Sequence, residues 1–328
     1  MLAAVGSMLG FGADATAQRL PNEFSLAVGT GNYLGDIGGS DVDSRGFVFD
    51  LHPQATRISV TGQYGYAIAA GLFVDGAFSY VGLYDDDAFT ASGPRRARNL
   101  HFRNQVLELA VRGRWVVWDG PNFRSAAETY PSLHVFAGFG GFHHNPQTRL
   151  RTEADNSSAW YDLRELRTEG QAEPYGPLAL SLATGFGMNW HLGTGWMVGW
   201  EASWRWTNTD YLDDVSGVYG NPSEMTELAA QLSSQADLFA IQAADPSWGE
   251  SELVHFQWNE SGAPPRGNPE RNDGFGTLQF KMTKLLDGAR LPTRGRATQR
   301  ALRAGKRRAR NARKGPGLLQ RWKHRNRF

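Results

Sequence analysis

The chain contains no cysteine. Disulfides, thiolate metal sites, cysteine nucleophiles and a lipidated N-terminal cysteine are therefore excluded. It also has no internal apolar run near the roughly 20 residues that a membrane-spanning helix needs. If this chain crosses a membrane, it crosses with strands, because a closed barrel is the other structure that satisfies its backbone in lipid. Basic residues are scarce through most of the sequence: residues 1–286 hold 19 Lys and Arg against 32 Asp and Glu. Residues 287–328 reverse this, with 15 basic side chains and one acid, Asp287. The net charge of +1 conceals that asymmetry, which sets the C-terminal stretch apart as a separate region. What the chain does have in quantity is glycine (39 residues) and aromatic residues (12 %).

Alternation is the main structural signal. In the stretch 57–66, Ile58, Val60, Gly62, Tyr64 and Tyr66 fall on one face, and Arg57, Ser59, Thr61, Gln63 and Gly65 on the other. A period of two places such sets on opposite sides of a strand. The same pattern predicts eight strands near 23–33, 56–67, 71–83, 101–118, 132–143, 178–192, 196–208 and 273–285. In the strand near 132–143, glycines leave the two faces ambiguous. The connections alternate between long (34–55, 84–100, 144–177, 209–272) and shorter (68–70, 119–131, 193–195). Outer-membrane barrels have this rhythm of long external loops and short periplasmic turns. The expected fold is all-β: an eight-stranded antiparallel transmembrane outer-membrane β-barrel with long external loops and both termini in the periplasm.

The polar faces carry Arg57, Asp75, Glu108, Arg112, Arg114, Glu201, Arg205 and Lys281. In a soluble barrel these would load an apolar core with charge. In a membrane barrel the lipid side is apolar and the interior polar. Eight strands leave an interior just filled by side chains, so a structural salt-bridge network is expected rather than a permeation path. Tyr64, Tyr66, Tyr80, Tyr84, Trp115, Trp118, Trp190, Trp196, Trp204 and Trp206 gather at strand ends, as interfacial girdles do.

The segment 1–17 is small and apolar and ends in Ala15-Thr16-Ala17, which reads as a signal peptide without the usual basic start. The alternative is an N-terminal core segment. The expected organisation is a signal peptide over 1–17, a barrel over 18–286 and a basic, disordered periplasmic tail over 287–328.

No catalytic, cofactor or metal motif stands out. Asp210, Asp213 and Asp214 would suit a hard cation by chemistry, but their spacing fits no EF-hand, and loop bracing is the preferred reading. Asp85-Asp86-Asp87 reads as a solvated loop tip. His143 and His144 are neighbours on a strand and face opposite ways. A lipid-modifying hydrolase would need Ser, His and an acid in reach, for which Ser203 with His191 and Glu108 or Glu201 are the candidates.

Several loop phrases are more particular. They are Asn32-Tyr33-Leu34-Gly35-Asp36, a stretch ending His144-Asn145-Pro146, and Trp160-Tyr161-Asp162 followed by Thr168-Glu169-Gly170-Gln171. Further on come Asp210-Tyr211-Leu212-Asp213-Asp214 and Arg266-Gly267-Asn268-Pro269. In this order, over about 23–285, the chain resembles the Bacteroidota outer-membrane β-barrel family that includes PorG, a component of the type IX (Por) secretion system. The resemblance implies a non-enzymatic anchor or adaptor without cofactor. Its implied partners are outer-membrane lipid and periplasmic ring or translocon proteins. The insertion near 223–262, with a helix-like stretch 224–244, and the tail depart from the family pattern. The tail is expected to meet acidic envelope partners or simply to solubilise, and nucleic acid is not expected. A surface adhesion barrel is the alternative class, and a lipid-modifying enzyme the third.

Overall fold

The computed structural model describes residues 22–39, 53–119, 130–151, 159–192, 195–259 and 263–286. The expected signal peptide and basic tail lie outside the described residues. Eight long strands form: β1 (Glu23–Leu34), β2 (Arg57–Ala69), β3 (Leu72–Asp86), β4 (His101–Asp119), β5 (Tyr130–His143), β8 (Leu178–His191), β9 (Trp196–Thr207) and β10 (Gly274–Leu285). Two short strands, β6 (Gln147–Thr148) and β7 (Tyr161–Asp162), add to the upper end of β4. All eight long strands pair antiparallel with sequential neighbours. Pairing of β1 with β10, from Glu23↔Leu285 to Leu34↔Gly274, closes the barrel.

Closure removes every free sheet edge among these strands, the condition for β-structure to cross lipid. The two faces then follow from the alternation. On β4, Leu107, Leu109 and Val111 point outward, with Leu109 67 % exposed, while Glu108, Ala110 and Arg112 are buried. Phe139, Leu178 and Phe280 extend the outer apolar surface, each at least 74 % exposed. An apolar exterior around a charged interior is the arrangement of outer-membrane barrels. Among the described residues, no helix is long and apolar enough to cross a membrane. Tyr64, Tyr66, Trp115 and Trp118 are exposed toward one end of the wall, and Trp206 toward the other.

Among the described residues, the connection between β2 and β3 is a short turn at the end that carries Glu23 and Leu285. Gly71 and Gly195 there adopt φ of +78°, a left-handed conformation that a Cβ disfavours. At Gly187 the requirement is space: a Cβ would sit 2.7 Å from His134 Cε1. The opposite end carries the long loops. The stretch 224–244 is not one helix but two, α2 (Glu227–Ser233) and α3 (Leu238–Ala244), after α1 (Gly93–Arg98) earlier in the chain. The break arises because Thr226 and Asp237 each cap a new helix, accepting from Ala229 N and Ala240 N. Both then pack inward through Leu232 and Ile241, which are fully buried.

Candidate functional site

Two polar constructions stand on this frame, one inside the wall and one across its long-loop end. Inside, Arg114 donates from Nε to Asp75 Oδ2 (2.8 Å) and from Nη2 to Glu23 Oε2 (2.6 Å). Arg112 donates to Glu201 Oε1 (2.8 Å) and Gln63 Oε1 (2.6 Å). Lys281 Nζ reaches Glu201 Oε2 at 2.8 Å, and Arg205 Nη2 reaches Glu108 Oε2 at 2.9 Å. Ser181 completes the shell of Glu108 at 2.7 Å. Four cations thus face four carboxylates: Arg112, Arg114, Arg205 and Lys281 against Glu23, Asp75, Glu108 and Glu201. The network is neutral and buried, with Arg112 1 % exposed. A polar side chain lining a water-filled path would be wetted, so the arrangement fits a packed lumen.

Sequence reasoning placed seven of these charges on the inner face and missed two participants. Glu23 is the first residue of β1, where alternation has barely begun. His134, whose Nε2 lies 3.5 Å from Glu201 Oε2, sits on the glycine-rich β5. Arg57 requires a correction. It is half-buried at the long-loop rim, donates to the carbonyls of Gln54 and Thr56, and lies 4.0 Å over the Tyr84 ring. Its strand begins at the rim, so the guanidinium folds onto nearby carbonyls instead of entering the network.

The loop-end construction joins residues far apart in sequence. The Tyr33 hydroxyl lies 2.6 Å from Asp213 Oδ2 and 2.6 Å from Asp273 Oδ1. Asp36 N–H donates to the same hydroxyl oxygen at 2.9 Å, and Asp36 Oδ2 accepts from Asn268 N at 2.6 Å. Asp214 accepts from the hydroxyls of Thr168 and Tyr175 and pairs with Arg266. Arg266 also holds Glu169 at 3.2 Å and the Asp214 carbonyl at 2.5 Å. Arg98 grips both Asp87 oxygens and donates to the carbonyls of Asp36 and Arg266. At Gly35 and Gly267 the chain passes so close to Tyr33 and Asp36 that a Cβ would collide with them.

Burial raises the carboxyls of Asp36, Asp210, Asp213, Asp214 and Asp273 above their usual range. Asp210 is pushed up to about 7, and Asp214 to about 6 against the pull of Arg266. Desolvation and the nearby Asp36 hold Asp213 well above its ordinary value. Among the described residues, no three His, Asp or Glu side chains converge as a metal cage.

The other family-phrase residues form an adjoining brace. Asn145 and Gln147 donate to Asp162 Oδ1 at 2.9 and 2.6 Å. Tyr161 on β7 pairs with Thr148 on β6, and the Pro146 carbonyl accepts from Leu163 N. Trp160 stacks under Arg103 at 4.1 Å. Tyr211 stacks on Tyr175 at 4.5 Å, and Asn32 bonds Thr56 at 2.8 Å. The reading of Asp85-Asp86-Asp87 as a solvated tip is overturned. Asp87 is fully buried against Arg98, Asp86 pairs with Arg151, and Asp85 is 2 % exposed. His143 is exposed and His144 buried, on opposite sides of the strand end. The hydrolase constellation is not assembled: Ser203 bonds Thr277 at 2.7 Å, while His191 contacts Ser132 near the opposite end.

The strand order and its two faces define an outer-membrane type of eight-stranded barrel with a packed lumen. No family model matches the chain, and no curated protein matches it. Two solved structures are similar to it, each at 10 % identity, over 81 % of this chain and 99 % of the other. One is Ail, the attachment invasion locus protein of Yersinia pestis, solved with the heparin analogue sucrose octasulfate, at a TM-score of 0.31. The other is the N-terminal β-barrel domain of Pseudomonas aeruginosa OprF, at 0.27.

Proposed function

We propose that this barrel is a non-enzymatic anchor or adaptor of a protein-secretion apparatus of the type IX (Por) kind. It sits in the outer membrane with both termini in the periplasm, and its long loops face outward. The observation that carries this reading is convergence. The phrases that make the sequence resemble the PorG-containing family are scattered over more than 230 positions, as the Asp36–Asn268 bond attests. In the fold, buried Tyr33, Asp213, Asp214 and Arg266 and half-buried Asp36 and Gly267 build one unit. A salt-bridged lumen beneath it favours a fixed platform over a conduit. Residues 287–328 reach acidic partners in the periplasm, such as ring or translocon subunits.

The test is affinity purification of the detergent-solubilised full chain from its native cell, with partners identified by mass spectrometry. Recovery of secretion-ring or translocon subunits supports the adaptor, and deletion of 290–328 should weaken it. Recovery of the barrel alone in good yield contradicts it. A surface-binding barrel is the second reading. It is favoured by the exposed apolar side chains Phe239, Val254 and Trp258 on the insertion, Phe239 being 75 % exposed. Loss of cell-surface binding, with unchanged secretion, after removing 223–262 would select it.

A further inference from the structure

The Tyr33 hydroxyl makes more contacts than its own proton can serve. Its oxygen has one hydrogen to donate and two lone pairs. Asp36 N–H occupies one lone pair at 2.9 Å. Two carboxylate oxygens then lie 2.6 Å away, Asp213 Oδ2 and Asp273 Oδ1. The hydroxyl hydrogen can satisfy one of them. The other contact, at hydrogen-bonding distance, needs a proton on the carboxyl itself, donated to the remaining lone pair.

The neighbours decide which carboxyl carries it. Asp213 Oδ2 also accepts from Ile37 N at 3.1 Å, and its Oδ1 accepts from Val215 N at 2.9 Å. Both Asp213 oxygens are therefore acceptors, as in a carboxylate. Asp273 Oδ2 accepts from Leu212 N at 2.9 Å, while Asp273 Oδ1 meets Tyr33. That oxygen is the one free to bear hydrogen. The chain of donors runs from Asp273 to Tyr33 to Asp213.

We propose that Asp273 is a protonated carboxyl in the closed protein, and that the Asp273–Tyr33–Asp213 chain is a proton-held latch that releases the long loops when pH rises. The latch ties the end of β1 to the loop at 212–215 and to the residue just before β10. On loss of the proton, one phenol hydrogen faces two buried carboxylates, and the two loops repel across it. The surroundings add little relief. From after β1 comes Asp36, and from the loop after β9 come Asp210 and Asp214, all acidic. From 168–171 comes Glu169. The cations in reach are Arg95 and Arg98 of α1, the first on the Gly38 carbonyl and the second on Asp87, and Arg266, already on Asp214 and Glu169. Burial first, then Asp213, keeps Asp273 well above the ordinary carboxyl range, in keeping with the proton count. The inference is independent of any role in secretion.

The test is proteinase K digestion of the full chain in lipid vesicles at neutral and strongly alkaline pH. Cleavage within 209–273 is mapped by mass spectrometry, scaled to protease activity at each pH. The wild type should be cut there at least about tenfold faster at alkaline pH, the barrel itself staying intact by gel migration; a tenfold change corresponds to about 1.4 kcal/mol. Asp273→Asn supplies a permanent donor in place of the protonated carboxyl and should lose far less protection than the wild type between the two pH values. Asp213→Asn replaces an acceptor oxygen by an amide donor and should be cut rapidly even at neutral pH. The latch is wrong if wild-type protection does not change with pH, if Asp273→Asn opens like the wild type, or if Asp213→Asn stays as protected as Asp273→Asn.

Discussion

The lumen and the long-loop end are both buried, polar and hydrogen-bonded, yet they balance charge differently. In the lumen every one of the four carboxylates has a guanidinium or ammonium partner within 2.9 Å. At the loop end Asp36, Asp210, Asp213 and Asp273 have no cation salt-bridged to them among the described residues. Arg98 and Arg266 are committed to Asp87, Asp214 and Glu169. The difference teaches where each region gets its rigidity. A lumen surrounded by lipid cannot use water to screen charge, so it pairs charge with charge. The loop end instead uses phenols, backbone N–H groups and protons, and so becomes sensitive to pH.

The comparison breaks most sharply in the lumen. Glu201→Ala removes the carboxylate paired with Lys281 and the nearer of the two that face Arg112, which keeps Asp75 at 3.9 Å, and so leaves a buried ammonium uncompensated. Loss of one member of a buried pair costs about 3–5 kcal/mol, so the barrel should unfold at clearly lower urea in lipid vesicles. On the outer wall, Leu109→Arg should cost about 2–4 kcal/mol if that position lies at the midplane. The same urea titration checks this, with Phe239→Arg on the insertion as the water-exposed control. At the loop end, Arg266→Ala leaves Asp214 and Glu169 without their guanidinium. It should speed proteolysis within 209–273 while leaving urea unfolding of the barrel nearly unchanged.

The pH response of the loop end has a defined sign. Asp210 and Asp214 have carboxyls raised from 3.8 to about 7 and about 6. The folded loops bind these protons more tightly than the unfolded chain, so stability is fully present below pH 3.8 and falls as pH rises through those values. Hydrogen exchange at 209–216, corrected for intrinsic rates, should show weakening protection over that range. The smallest effect is expected at the surface: Phe239→Ser should change stability by no more than about 0.5 kcal/mol, whatever it does to binding.

The wall was legible in the sequence because a period of two marks both faces at once. It failed where side chains are missing. Gly138, Gly140 and Gly141 erase the alternation on β5, and His134 was lost with it. The loop phrases were visible as phrases, but their meeting was not. Tyr33 contacts residues 180 and 240 positions away, and nothing local encodes that. Asp85-Asp86-Asp87 misled for the opposite reason. A run of acids is usually solvated, and only the fold shows that Arg98 and Arg151 close over it.

The central claim is that lipid covers the outer wall while charge fills the inside. The chain has no cysteine, so single cysteines at Leu107, Leu109, Val111 and Ala110 can each carry a spin label in the vesicle-reconstituted protein. The account predicts that labels at the first three are relaxed by oxygen dissolved in lipid far more than by a water-soluble nickel complex, and that Ala110 breaks the pattern. Greater access to the water-soluble reagent at Leu107, Leu109 and Val111 would contradict a lipid-facing wall.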